Sequence, residues 1–97
     1  MYLVHTELNH ASGAPLTAAA AHAVAQADGV EHATVHPDAR PHPVLALYTR
    51  ARSAADAASV ATQAWHAAAA RERWEDWTII SIRAYQIGPA AEDRHPL

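Results

Sequence analysis

Apolar and polar positions follow two different periods along the chain, and the change from one to the other separates strands from helices. Residues 2–8 alternate between apolar and polar side chains, which is typical of a half-buried strand. From Leu16 the apolar positions recur at helical spacing, with Ser12 as a candidate N-cap before them. Asp28 and Gly29 end this pattern, and Gly29 suits a left-handed position after the helix. The first third of the chain therefore predicts a strand followed by a helix.

The same succession continues with two strands, a helix and a last strand. Residues 31–36 and 44–50 predict strands, and the three prolines between them require a loop. Ser53 is predicted to be the N-cap of the second helix, because Asp56 follows three residues later as in a capping box. Residues 77–87 are rich in β-branched side chains and predict the fourth strand.

The predicted order βαββαβ indicates an α+β domain. Two βαβ units of this kind interleave into a four-stranded antiparallel sheet of order 4-1-3-2, with both helices on one face. This layout resembles the ferredoxin-like sandwich, and the sequence Gly29–Val35 is similar to the helix-to-strand joint of many such domains. Small regulatory, metal-chaperone and dimeric α/β-barrel families share that fold, although the chain lacks the Cys pair of the metal chaperones. Residues 1–87 are expected to form the domain, and residues 88–97 a mobile tail.

The alternation also predicts which way the strand residues face. If the proline-rich loop closes a hairpin, one face of the hairpin is apolar and the other is mixed, as expected for a sheet covered on one side. The helix-facing pairs are Val35 with Leu45 and Ala33 with Leu47, and the pairs on the uncovered side are His32 with Tyr48 and Thr34 with Ala46.

The outer strands are assigned in the same way. The side chains predicted to face the helices are Tyr2, Val4, Thr6, Ile80, Ile82 and Ala84. Those predicted on the uncovered side, here called the open face, are Leu3, His5, Glu7, Ile79, Ser81, Arg83 and Tyr85, together with Val44, Ala46 and Tyr48. The residues expected to be buried in the core are Leu16, Val24, Val35, Leu45, Leu47, Val60, Trp65, Ile80 and Ile82.

Composition narrows the function classes. The formal net charge of −3 argues against nucleic acid and anionic membranes as partners. No secretory signal or membrane-spanning run is visible, so the sequence predicts a cytoplasmic protein. Twenty-six residues are alanine and none is phenylalanine, so the apolar area available to the core is modest.

Candidate chemistry is sparse. The absence of cysteine excludes thiolate nucleophiles and thiolate metal ligands, and no nucleophile elbow or phosphate-binding loop occurs. His36, Asp38 and His42 could converge on a metal ion around the proline-rich loop, but a solvated loop is the favoured interpretation. His5 and Glu7 could form a base and its orienting carboxylate, although neighbours on one strand face stand about 7 Å apart. The sequence thus predicts neither a cofactor nor a metal site, and it names no catalytic residue.

The composition of the open face favours an interaction module. Tyrosine and arginine are enriched where proteins bind one another, and a half-apolar face is unfavourable in water. We expect the protein to bind itself or a protein partner through an interface of Tyr48, Arg83, Tyr85, His32, Ile79 and Trp74. At the turn before the last strand, at least one of Trp74 and Trp77 is expected to be partly exposed. The alternative is a small-molecule-binding protein or enzyme of the dimeric α/β-barrel type, in which His, Tyr and Arg side chains of the open face line a pocket between two copies.

Overall fold

A computed structural model of the protein describes residues 1–87. Its elements are β1 (Tyr2–His10), α1 (Ala18–Val24), β2 (Val30–His36), β3 (Val44–Thr49), α2 (Ala54–Glu72) and β4 (Trp77–Gln86). The predicted order βαββαβ is confirmed, and the predicted tail lies outside the described residues. Within residues 1–87, neither helix combines the length and the apolar character needed to cross a bilayer.

The four strands form one antiparallel sheet in the order β2-β3-β1-β4. This is the predicted order 4-1-3-2 counted from the opposite edge, so the ferredoxin-like arrangement is confirmed. β1 occupies a central position and pairs with both β3 and β4. Residues of β1 therefore have β3, from the middle of the chain, on one side and β4, from its last part, on the other.

The hairpin of β2 and β3 has the predicted register. His32 lies opposite Tyr48 and Thr34 opposite Ala46, while the helix-facing pairs join Val35 with Leu45 and Ala33 with Leu47. The faces of β1 are confirmed as well, because Val4, Thr6 and Leu8 are all fully buried. The alternation of apolar and polar residues predicted these faces correctly, because the helices cover only one side of the sheet and the apolar side chains face that side.

The core lies between the sheet and the two helices. Five of the nine predicted core residues are buried: Leu16, Val24, Leu45, Leu47 and Trp65. Val35, Val60 and Ile82 pack against this core but remain partly accessible, and Ile80 is 48% exposed, so its placement in the core is wrong. Most of the remaining buried positions are alanines of α1 and α2, which let both helices approach the sheet closely.

A β-bulge explains the error at Ile80. Glu7 pairs with Ser81 whereas Leu8 pairs with Ile79, so Ile80 is an extra residue without a partner on β1. The predicted alternation holds from Ser81 to Tyr85 and is out of phase before the bulge. Ile79, which was expected on the open face, instead packs against the helix-facing core.

The helix ends follow local capping chemistry. The Ser53 hydroxyl accepts a hydrogen bond from the Asp56 backbone N–H at 3.1 Å, which confirms the predicted N-cap of α2. The prediction for α1 is wrong at its start, because Thr17 and not Ser12 precedes the first helical residue. Gly29 has the expected positive φ of 88°, but α1 has already ended at Val24, so the glycine serves the turn into β2.

Candidate functional site

The open face is a mixed polar and aromatic surface that neither helix covers. Its side chains, given by the strand registers, are Leu3, His5 and Glu7 of β1, His32, Thr34 and His36 of β2, Val44, Ala46 and Tyr48 of β3, and Ser81, Arg83 and Tyr85 of β4. Ala46 is only 2% exposed and lies between His5 of β1 and Thr34 of β2. The face as a whole carries imidazole, carboxylate, guanidinium and phenol groups.

Glu7 connects three segments of the chain on this face. One carboxylate oxygen lies 2.8 Å from His42 Nδ1, and the other accepts a hydrogen bond of 2.8 Å from the Ser81 hydroxyl. His42 belongs to the loop before β3, and Ser81 lies on β4 directly opposite Glu7. The side chains of Glu7 and His42 are 19% and 33% exposed, so the pair is largely shielded while still reached by solvent.

These contacts favour the ionised form of Glu7. The hydrogen bonds from His42 and Ser81 lower the pKa of Glu7 below its usual value of 4.5, and the nearby Arg83 acts in the same direction. Glu7 is thus ionised at neutral pH and accepts from both neighbours. In the neutral tautomer of His42 that donates from Nδ1 to this carboxylate, Nε2 is left as a hydrogen-bond acceptor.

The pair lies at the edge of a cleft of about 190 Å³. The cleft is lined by His5, Glu7, Arg40, Pro41, His42, Val44, Ser81, Arg83 and Tyr85. A second, wider depression of about 610 Å³ shares His5 and Val44 with it and continues beneath residues 36–39. The loop between β2 and β3 thus provides one wall for both depressions.

Three of the predicted interface residues make aromatic contacts on the open face. The Tyr85 ring meets His5 edge-on, with 5.3 Å between the ring centres, and remains 43% exposed. The rings of His32 and Tyr48 lie 5.9 Å apart on neighbouring strands, with His32 exposed and Tyr48 half-buried. Together with the exposed Arg83, these four residues lie on the open face, as predicted.

Ile79 and Trp74 do not join them. Ile79 faces the helices because of the bulge. Trp74 packs beside the buried Trp65, with 5.3 Å between the ring centres, at the turn between α2 and β4. It is half-buried and packs against the core on the helix side of the sheet, whereas Tyr85 lies on the open face.

The three residues weighed as a metal site do not converge. Across residues 1–87, no group of three His, Asp or Glu side chains is placed to hold a metal ion. His42 binds Glu7 instead, whereas the sequence pattern had paired Glu7 only with His5. The missing signal was the register of β1 against β3: Glu7 lies opposite Val44, two residues beyond His42.

Three comparisons with known proteins give no match. No protein-family model matches the chain, and neither a curated protein nor a solved structure does so. The chemistry of the open face is therefore the basis on which a function can be argued.

Proposed function

We propose that the protein is a small interaction module whose open face binds a second copy of the same chain. The observation that carries this proposal is the exposure of Tyr85 beside Arg83, on the sheet face that the helices leave uncovered. A tyrosine supplies a large contact area with a hydrogen-bonding tip, and arginine beside it is the composition of an interface hot spot. A docked partner shields both side chains from water.

The distribution of charge supports a second copy as the partner. Arg83 and Arg40 line the depression on the β4 side, whereas Asp38 lines the depression on the β2 side, and His5 lies between the two. In a twofold-symmetric dimer, both copies use the same surface, and a residue on one side of the axis faces the residues on the other side in its partner. The arginine side of one open face therefore faces the Asp38 side of the other. Arginines of one copy then approach Asp38 of the other, and the contact buries apolar area of the open face in addition to the modest area that the alanine-rich core of one chain buries.

Light scattering tests this proposal. We expect wild type to have the mass of a dimer and Tyr85→Glu to have that of a monomer, because burying an unpaired carboxylate costs several kcal/mol. Gln63→Glu is the matched control, since it introduces the same charge at an exposed position of α2 and should leave the mass unchanged. A wild type that stays monomeric at high concentration would refute self-association, as would a Tyr85→Glu protein that dimerises as well as its parent.

A small-molecule site on the same face is a second candidate function. The observation that favours it is the network of Glu7, His42 and Ser81, which places an oriented imidazole beside a cleft. Two sheets packed face to face could enclose this cleft, as in the dimeric α/β-barrel alternative. A structure of the dimer separates the two functions: a dry interface favours the interaction module, and a water-filled cavity at Glu7 favours the small-molecule site.

A further inference from the structure

We propose that the cleft beside Glu7 and His42 binds a small carboxylate with a carbonyl group next to an acidic C–H bond, and that His42 removes the proton from that carbon. This inference deepens the second candidate function by naming its substrate class and its catalytic residue. It does not depend on self-association, because every residue that lines the cleft belongs to one chain.

The first support is the orientation of His42. Glu7 Oε2 lies 2.8 Å from Nδ1, and Ser81 holds the other carboxylate oxygen at the same distance. A carboxylate at Nδ1 fixes the imidazole tautomer and compensates the charge that forms when Nε2 gains a proton. Within residues 1–87, Nε2 has no hydrogen-bond partner from the protein, so it is available to a ligand in the cleft.

The second support is the cationic lining. Arg40 and Arg83 both line the cleft, and among residues 1–87 neither forms an ion pair with a carboxylate within 4.0 Å. Guanidinium groups match carboxylates in geometry as well as in charge. The cleft of about 190 Å³ is large enough to hold several water molecules, and so it has room for a small carboxylate such as a three-carbon oxo acid.

The third support is the arrangement of the remaining polar groups. The Ser81 hydroxyl donates its proton to Glu7, so it is engaged in holding the carboxylate and is not activated for attack on a substrate. The remaining reactive group in the cleft is His42, and the reaction that it can perform is proton transfer. The C–H bond breaks, its proton goes to His42 Nε2, and the electron pair moves into the carbonyl as an enolate. Tyr85 also lines the cleft, and its hydroxyl can stabilise the negative oxygen. The reverse step returns a proton to carbon.

Hydrogen–deuterium exchange tests the proposal directly. Pyruvate is incubated with the full chain in D₂O, and loss of its methyl proton signal is followed by NMR. We expect wild type to accelerate exchange, and His42→Gln to lower the rate constant kcat by roughly 100-fold or more, as for loss of a general base. Arg83→Gln should raise KM by about tenfold, as for loss of one charge-assisted contact.

Glu7 is a positioning residue, and its variant has a different signature. Glu7→Gln should lower kcat and leave KM close to that of wild type, because the guanidinium groups that hold the carboxylate remain. The matched control is His66→Gln, at an exposed position of α2, which should exchange as fast as wild type. Circular dichroism shows which variants are folded, and the exposed Arg83 keeps the test decisive even if a change at Glu7 or His42 unfolds the chain.

Three results would overturn the proposal. They are a wild type no faster than free imidazole at the same concentration, a folded His42→Gln protein as fast as wild type, and an Arg83→Gln protein with unchanged KM. A monomer that catalyses exchange would uphold this inference and refute self-association. A dimer that does not catalyse exchange would refute this inference and support self-association.

Discussion

At the scale of single residues, two hydrogen bonds determine how Glu7 responds to pH. The carboxylate accepts from His42 on one side and Ser81 on the other, and both contacts favour its ionised form. The pKa of Glu7 is therefore lower in the folded protein than its ordinary value of 4.5. Because the unfolded chain binds a proton at this carboxyl group more readily than the folded protein does, the free energy of unfolding decreases as the pH falls.

Glu7→Gln should reveal this linkage. The amide cannot accept from both neighbours, so the variant should be less stable than wild type at pH 7. That difference should persist down to the ordinary carboxyl pKa of 4.5 and vanish as the pH drops through the lower folded value, where wild type becomes protonated. Urea denaturation of both proteins across this range measures it. A pH-independent difference in stability between Glu7→Gln and wild type would contradict the assignment.

The contact between Glu7 and His42 is a feature that the sequence pattern did not predict. The face of Glu7 followed correctly from alternation along the first strand, but its partner lies 35 residues away, in a loop without periodicity. Alternation predicts the face of a strand residue, and it does not predict where an irregular loop places a side chain. The residues of the open face were therefore largely predictable, while the hydrogen bonds that organise its cleft were not.

At the scale of elements, β4 shows how one extra residue changes a strand. The hairpin of β2 and β3 matched its predicted register at every pair, because only one phase placed the apolar side chains on one face. In β4 isoleucine occurs at 79, 80 and 82, so apolar side chains are available in both phases and the sequence does not mark the bulge. The prediction consequently failed at Ile79 and Ile80 alone and held beyond them.

Two alanine variants distinguish the bulged strand from a regular one. Ile79→Ala should reduce the free energy of unfolding by about 2 kcal/mol, because Ile79 packs against the core. Ile80→Ala should cost only about 0.5 kcal/mol, since that side chain is half in solvent. A regular strand with Ile80 inward would reverse this order. Chemical denaturation of the two variants decides between the alternatives.

At the scale of the whole molecule, few large side chains stabilise the domain. Most buried helix positions are alanine, and Trp65 is the largest side chain that the helices bury, at 3% exposure. Its ring lies against Trp74 and Trp77, with centres 5.3 and 6.5 Å away. A small domain has about 5–15 kcal/mol of net stability. One such side chain can therefore account for a large part of it.

Trp65→Ala should lower the free energy of unfolding by about 3–5 kcal/mol, enough to leave much of the protein unfolded near physiological temperature. Trp74→Ala is the control within the same cluster and should cost less, because Trp74 is half-buried. Thermal unfolding followed by circular dichroism measures both variants. A Trp65→Ala protein that melts within a degree or two of wild type would show that the buried tryptophan is not the main support of α2.

The bulge has a further consequence for how copies of the chain can meet. Within residues 1–87, β4 pairs only with β1, so its other edge presents unpaired backbone donors and acceptors to solvent. A flat edge of this kind is a template for strand addition, through which sheets of separate molecules join end to end into fibres. The extra residue at Ile80 bends and twists the strand, and a bent edge pairs poorly with a straight one. Growth along the β4 edge is thereby disfavoured, and the contact proposed for the open face does not use that edge.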